Sequence, residues 1–283
     1  MIAILMSTYN GGQYLREQIK SYFAQTNKDW QLFIRDDGSK DNTIDILKEY
    51  AQKHPQQVHI VDDIKENLGA GQSFMHLLDV TDAEYYMFSD QDDVWMPDKI
   101  ERTLNKLKEI EKLYPGEAVG VFTDLTVVDK DLNVIMPSLW KGDNRHPEYT
   151  RNFYKQWVNR HATYGCTQMI NRKAKELVFP YHQFEGVQGA HDNWIEYILI
   201  KLGHYDYLDE PTILYRQHGT NVVGANFGHN YREEVSEMAH NPKALFGKLI
   251  KDYKRIRQMP FPVSVTKVLA YRIMESIVAL LKK

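Results

Sequence analysis

The sequence predicts an α/β fold: a sheet flanked by helices, followed by a helical extension at the C-terminus. Three observations carry this. Short apolar runs alternate with segments of helical period along the first half of the chain. Polar, turn-rich loops follow those runs. The 283 residues, 43% hydrophobic and 26% charged, suffice for one large domain with an appendage.

The elements follow in order. IAILMS (2–7) is a first strand, short, apolar and opened by a β-branched residue. GGQYLREQIKSYFAQ places Tyr14, Leu15, Ile19, Tyr22 and Phe23 at helical spacing. WQLFIR (30–35) is a second strand. DNTIDILKEYAQKH is a second helix, with Asp41 or Asn42 available as N-cap. VHIV (58–61) is a third strand, and ENLGAG leads into a helix over 71–79. YYMFS (85–89) is a fourth strand, and a helix follows over 97–113. The pattern then changes. AVGVFTDLTVVDKDLNVI reads as strands around tight turns, and TYGCTQMINRKA as a strand entering a short helix. HDNWIEYILIKLG is a helix closed by a glycine. HYDYLD and TILYRQHGTN are two further strand-like pieces, and the chain beyond about 228 is helical and basic.

Strands separated by helices imply parallel pairing through right-handed crossovers. Ligands of open α/β sheets bind outside the carboxyl ends of the strands. STYNGG, RDDGSKDNT and SDQDD all fall at such ends, so they are expected to converge on one edge.

The bulk numbers narrow the field. A net charge of -3 gives no argument for nucleic-acid binding. The one cysteine, Cys166, excludes an internal disulfide and fits a reducing compartment, hence a cytoplasmic location. The N-terminus carries no basic region or small-residue cleavage site and reads as a strand, not a signal peptide. No stretch reaches the roughly 18 apolar residues of a bilayer span. Charge is uneven: residues 241–283 hold ten Lys/Arg and two Asp/Glu, leaving the rest strongly acidic.

The densest chemical signal is YYMFSDQDDVWMP (85–97). Three carboxylates, Asp90, Asp92 and Asp93, crowd the end of a strand and repel one another. Two such side chains one residue apart can share a hard cation, Mg²⁺ or Mn²⁺, which removes the repulsion. The plainer reading is a solvated turn with an Asp capping the helix that follows.

In order and spacing, MSTYNGG, RDDGSKDNT, ENLGAG and FSDQDDVWMPDKI, continued by HDNW and YRQHGTN, resemble a family 2 glycosyltransferase with a GT-A fold. The likeness spans roughly residues 1–225 and implies a Rossmann-like mixed sheet. It sets a catalytic domain at 1–227 and a basic helical extension at 228–283. SDQDDVW, TDLTVVD and LYRQH with N-V-x-G-A look most similar to bacterial rhamnosyltransferases of cell-wall polysaccharides.

The resemblance implies roles residue by residue. Thr8, Tyr9, Asn10, Asp36 and Asp37 would hold the nucleotide base and ribose, with Asn67 nearby. The chemistry agrees, since a carboxylate accepts the N3–H of uracil or thymine and Tyr9 offers a ring to stack on. Asp92 would be the direct metal ligand, Asp90 would reach the ribose or a metal-bound water, and His218 would complete the metal site. Asp192 in GAHDNW would be the general base of an inverting transfer. Most relatives carry Glu-Asp there, and His191 replaces the Glu. The helix dipole would hold the Asp192 pKa low. Trp95, Tyr164, Gly165, Cys166 and Thr167 would border the sugar sites, core packing being the alternative for each.

The expected function is transfer of a sugar, L-rhamnose from dTDP-β-L-rhamnose by the closer likeness, to a lipid-linked or polysaccharide acceptor of a growing cell-wall or capsular glycan. UDP-hexose and UDP-N-acetylhexosamine donors stay open. A nucleotidyltransferase would more typically show a Gly-rich phosphate loop with a nearby Lys or Arg after the first strand, and STYNGGQYLR offers no convincing one. A non-catalytic nucleotide-sugar-binding module would need no Asp192. The tail has two readings. Its helices pack on the catalytic domain or on a second copy in a homodimer, or they attach peripherally to the inner face of the plasma membrane.

Overall fold

A computed structural model describes residues 1–64, 66–181, 191–219 and 242–281. The expected 227/228 boundary and the N-V-x-G-A stretch at 221–225 lie outside the described residues. The first half follows the sequence reading closely. It runs β1 (Ile2–Thr8), α1 (Leu15–Phe23), β2 (Trp30–Asp36), α2 (Thr43–Lys53), β3 (Val58–Ile60), α3 (Ala70–Val80), β4 (Tyr85–Ser89), β5 (Val94–Trp95) and α4 (Lys99–Leu113). Then come β6 (Val119–Val128), β7 (Val134–Met136), α5 (Leu139–Gly142), α6 (Phe153–Val158), β8 (Met169–Asn171), α7 (Arg172–Val178), α8 (His191–Leu202) and β9 (His204–Arg216). Two tail helices, α9 (Pro242–Ile256) and α10 (Val265–Leu281), complete the described chain.

The strands form one mixed sheet in the order β3-β2-β1-β4-β8-β6-β9-β5, with β7 beside β6. The crossover strands β1 to β4 are parallel, as their intervening helices require. β8 runs antiparallel to both β4 and β6, and β9 runs parallel to β6. The two strand-like pieces expected at 204–209 and 212–221 are one strand, β9. Its register against β6 slips between Leu208 and Pro211, where Pro211 has no N–H to donate.

Side-chain alternation along β1 explains the layering. Ile2, Ile4 and Met6 face a core shared with α1, α2 and α4. Ala3 and Leu5 face the opposite core, which holds α3, α6 and α8. Such a strand, apolar on both faces, can only sit inside a three-layer stack.

The tail packs on the second of these cores. Ile256, Met259, Phe261 and Val268 are buried there, with Phe261 edge-on to Phe153. Asp252 on α9 accepts from Arg272 on α10 (Nε, 2.9 Å) and from Trp157 Nε1 on α6 (3.2 Å). Arg272 also donates to the Val158 carbonyl at 2.5 Å. A buried ion pair with every partner engaged fixes how the two helices meet the body.

Register delivers the loops to one edge. Thr8 lies opposite Asp36 and Met6 opposite Ser89, so β1, β2 and β4 end together. Because β8 is antiparallel, with Met169 opposite Met87, residues 164–168 arrive at that same edge from the other direction.

Candidate active site

The first two loops are held by their own polar side chains. Asp36 accepts from Thr8 Oγ1 at 2.9 Å and from the Ser39 N–H at 2.8 Å. Asn10 sits in the left-handed region (φ 49°), which asparagine tolerates, and its Oδ1 accepts from the Lys40 N–H. Tyr9 is left about half exposed at the rim.

Asp37 and Asn67 are employed within the protein. The buried Asp37 carboxylate pairs with Arg35 and accepts from the Leu68 and Gly69 N–H groups, both at 2.8 Å. Asn67 donates to the Asp37 carbonyl at 2.7 Å. Together they anchor the third loop beside the second.

Gln91, the middle residue of Asp90-Gln91-Asp92, plays a part the sequence did not reveal. Its amide pairs with the Tyr9 backbone in both directions, accepting at 2.9 Å and donating at 3.0 Å. A Cβ on Gly11 would fall 2.1 Å from the Gln91 Oε1, so a larger residue there would displace the Gln91 amide.

The three carboxylates have different environments. Asp93 is wholly buried and turned inward. Its Oδ1 accepts the Arg216 N–H at 2.9 Å, while its Oδ2 is buried without a hydrogen-bond partner. Burial, together with Asp92 and Asp90, pushes its pKa well above the usual carboxylate range. Asp90 is pushed up to about 7 by burial and by the charges of Asp92 and Asp192. Asp92 is partly buried, and His218 Nε2 lies 2.8 Å from its Oδ2.

Arg216 sets that geometry. It donates to the Asp92 carbonyl at 2.8 Å and to the Lys130 carbonyl at 2.6 Å, and it pairs with Glu17. Its guanidinium lies 4.5 Å from the centre of the Tyr14 ring, and Tyr14 in turn packs on His218 at 4.8 Å. The end of β9 is thereby tied to the carboxylate loop. Beside it opens a cleft of about 360 Å³ with Tyr14, Lys130 and Arg216 in its walls. Nothing in the sequence distinguished Arg216 from a solvated strand-end charge.

Of the expected metal ligands, the structure brings Asp92 and His218 together, with Asp90 two residues away on the same loop. Carboxylate oxygens and an imidazole are donor types that Mg²⁺ or Mn²⁺ accepts. Burial raises Asp90 first, and the neighbouring charges of Asp92 and Asp192 add to it. Asp90, Asp93 and Cys166 also bring one atom each within 4.8 Å of one another. The Cys166 thiol, however, is pushed well above its ordinary value by burial and both aspartates, and it donates to Asp90. A sulfur donor also suits softer metals than Mg²⁺ or Mn²⁺.

Three residues expected at the sugar sites lie in the core. Trp95 and Cys166 are each 2% exposed and Thr167 is wholly buried. Trp95 meets Tyr22 edge-on and lies under the buried Lys99 ammonium, whose pKa burial lowers to about 8. These side chains support the site from beneath. Tyr164 and Gly165 are partly exposed.

Asp192 opens α8 at the same edge. Its Oδ1 accepts the Asn193 N–H at 2.8 Å, and its backbone carbonyl accepts from Gln168 at 3.2 Å. The expectation of a low pKa is corrected: burial pushes Asp192 up, against the lowering effect of His191 and the Asn193 N–H. One turn on, the buried Glu196 accepts from Thr163 at 2.7 Å and faces His161 at 2.5 Å. Preceding Asp192, the His191 ring stacks on Phe74 at 4.4 Å.

Gly165 admits that packing. A Cβ there would lie 2.7 Å from His191 Nε2. The wedged ring cannot swing clear cheaply, so Gly165→Ala is expected to shift the start of α8. Thermal melting should register about 1–3 kcal/mol of destabilisation, and turnover should fall with it. An unchanged melting curve and unchanged turnover would show that the close approach is dispensable.

Comparison with known proteins gives a consistent result. Residues 3–178 match the family model for glycosyl transferase family 2. The chain is 30% identical over 259 residues to the dTDP-rhamnosyl transferase RfbG of Shigella flexneri, covering 83% of each protein. Among solved structures it is similar to TarS of S. aureus, with a TM-score of 0.61 at 14% identity, over 96% of this chain and 42% of that one. It is also similar to the mannosyltransferase PcManGT from Pyrobaculum calidifontis, in complex with GDP-Man and Mn²⁺. That TM-score is 0.50 at 16% identity, over 99% of this chain and 74% of that one.

Proposed function

The chain belongs to glycosyl transferase family 2, and from that premise we propose that it is an inverting rhamnosyltransferase using dTDP-β-L-rhamnose. One observation carries the donor assignment: the likeness to a dTDP-rhamnosyl transferase over 83% of both chains. The acceptor is a hydroxyl of a growing cell-wall or capsular glycan, free or lipid-linked.

The reaction needs three things from this chain. Nucleotide binding falls to the edge built by Thr8, Tyr9, Asn10 and Asp36, with Asp37 and Asn67 holding the third loop in place. Tyr9, exposed at the rim, offers a stacking face for the base. Asp90, Asp92 and His218 would hold a divalent cation, in keeping with the Mn²⁺ of PcManGT. When bound, such an ion neutralises a diphosphate leaving group.

Asp192 supplies the base. Its carboxylate takes the proton of the acceptor hydroxyl as that oxygen bonds to the anomeric carbon. The bond from that carbon to the diphosphate oxygen breaks, and dTDP leaves with the electron pair. Attack from the opposite face turns a β-linked donor into an α-linked product. A carboxyl raised by burial is a stronger base than an ordinary surface aspartate.

Nucleotide-sugar turnover, followed by mass spectrometry across dTDP-rhamnose, UDP-glucose, UDP-galactose and UDP-N-acetylglucosamine, tests the reading. Consumption of dTDP-rhamnose with release of dTDP is expected. Turnover of a UDP-sugar in its place would overturn the donor assignment and leave the family unaffected.

A further inference from the structure

The tail helices dock by one face and leave the opposite face apolar. On α10 the inner face is settled. Val268 and Arg272 are buried, and Tyr271 stacks on Tyr154. The outer face carries Val265, Leu269, Ile273 and Ile277, spaced four apart, with Met274 and Val278 on the adjoining row. Each of the six is between 37% and 50% exposed. Residues at that spacing form one continuous stripe. On α9 the same division holds. Asp252 and Ile256 face inward, while Phe246, Ile250 and Tyr253 are 64%, 42% and 47% exposed. A groove of about 460 Å³ at the connection between the two helices has Arg257, Pro260 and Val265 in its walls.

Folding does not require this surface, since the docking contacts lie on the other side. A soluble monomer rarely exposes so large a contiguous apolar patch without a use for it. Its border is basic: Lys251, Lys254, Arg257 and Lys267 are all exposed. The acidic Asp252 is buried against Arg272.

We infer that this face of α9 and α10 lies on a lipid bilayer that carries anionic headgroups. Apolar side chains enter the boundary between headgroups and acyl chains, while lysine and arginine meet the negative surface. Charge decides against a second copy of the chain. A second copy would bring a rim of the same positive sign against this one, whereas anionic headgroups complement it. Among the described residues no helix is long and apolar enough to cross a membrane, so the contact is peripheral. The inference is independent of the donor sugar and of the site chemistry.

Vesicle flotation with the full-length chain tests it. With vesicles of equal parts phosphatidylglycerol and phosphatidylcholine at low salt the protein floats. With phosphatidylcholine alone it stays in solution, and high salt releases it. The double variant Ile273→Glu/Ile277→Glu should lose flotation with an unchanged melting curve, because neither side chain touches the protein core. Lys251→Glu/Lys254→Glu should weaken binding by at least about tenfold. Failure of the wild-type chain to float with the anionic vesicles overturns the inference. So does flotation of the Ile273→Glu/Ile277→Glu variant at the wild-type level. Sedimentation showing a vesicle-free dimer that this variant dissociates would also overturn it, and would assign the face to a second copy.

Discussion

Asp92→Asn is expected to remove at least about two to three decades of sugar transfer while the protein stays folded. The carboxylate faces His218 at 2.8 Å and stands at the open edge of the sheet, not in the core. Asparagine keeps its shape and an acceptor oxygen, so packing is undisturbed, but it removes one negative charge from the cation-binding set. Two readouts separate the proposed role from a purely structural one. Titration calorimetry with Mn²⁺ should show weakened ion binding by Asp92→Asn, and thermal melting should match the parent. His218→Ala should weaken ion binding as well, since its imidazole would complete the proposed set beside Asp92. Full activity of Asp92→Asn, or full wild-type activity in excess EDTA, would rule out the metal assignment.

That carboxylate loop is also where local sequence signals were strongest, and the reason is physical. β1 to β4 and α1 to α4 announce themselves because their periods and turn residues act over a few positions. Their parallel pairing follows from the intervening helices, so the convergence of STYNGG, RDDGSKDNT and SDQDD could be anticipated. What local signals cannot show is pairing across long separations. β8 is three residues long, yet it wedges between β4 and β6 and reverses the chain so that Tyr164 and Gly165 reach the site. β9 continues through Pro211 because β6 supports it on one side despite the slipped register.

The same limit bears on Trp95, which the family likeness set at the border of the sugar sites with core packing as the alternative. β5 pairs Trp95 with Ile213 of β9 and turns the indole into the core beneath. Arg216 and Gln91 were unreadable for a related reason. Each acts by hydrogen bonds to backbone groups 82 or more residues away in sequence, at Tyr9 for Gln91 and at Asp92 and Lys130 for Arg216. Asp192 became visible only through family likeness, since alone an aspartate in the first turn of a helix is an ordinary N-terminal residue.

Asp192→Asn is expected to cost about two to four decades in turnover, with nucleotide affinity little changed, because the proposed base acts on the acceptor rather than on the donor's nucleotide. The same substitution should not destabilise the fold and should raise its melting temperature at neutral pH. The sign follows from the raised pKa of Asp192. A carboxyl that holds its proton more tightly in the folded chain than in the unfolded one makes folding less favourable once pH exceeds the unfolded value near 3.9. Asparagine removes that cost. Below the unfolded value both forms are neutral, and the gain should vanish. Activity moves the opposite way in the parent. Transfer requires the ionised carboxylate, so the acid limb of the rate profile should lie above that of an ordinary aspartate and should be absent from the residual rate of the variant. Product NMR completes the test: the new linkage should be α for a β-linked L-rhamnose donor, and retention of configuration would contradict a base at Asp192. A stabilised, nucleotide-binding, slow variant is the signature of a catalytic group held under strain by its surroundings, whereas a merely structural aspartate would lose stability and affinity together when replaced.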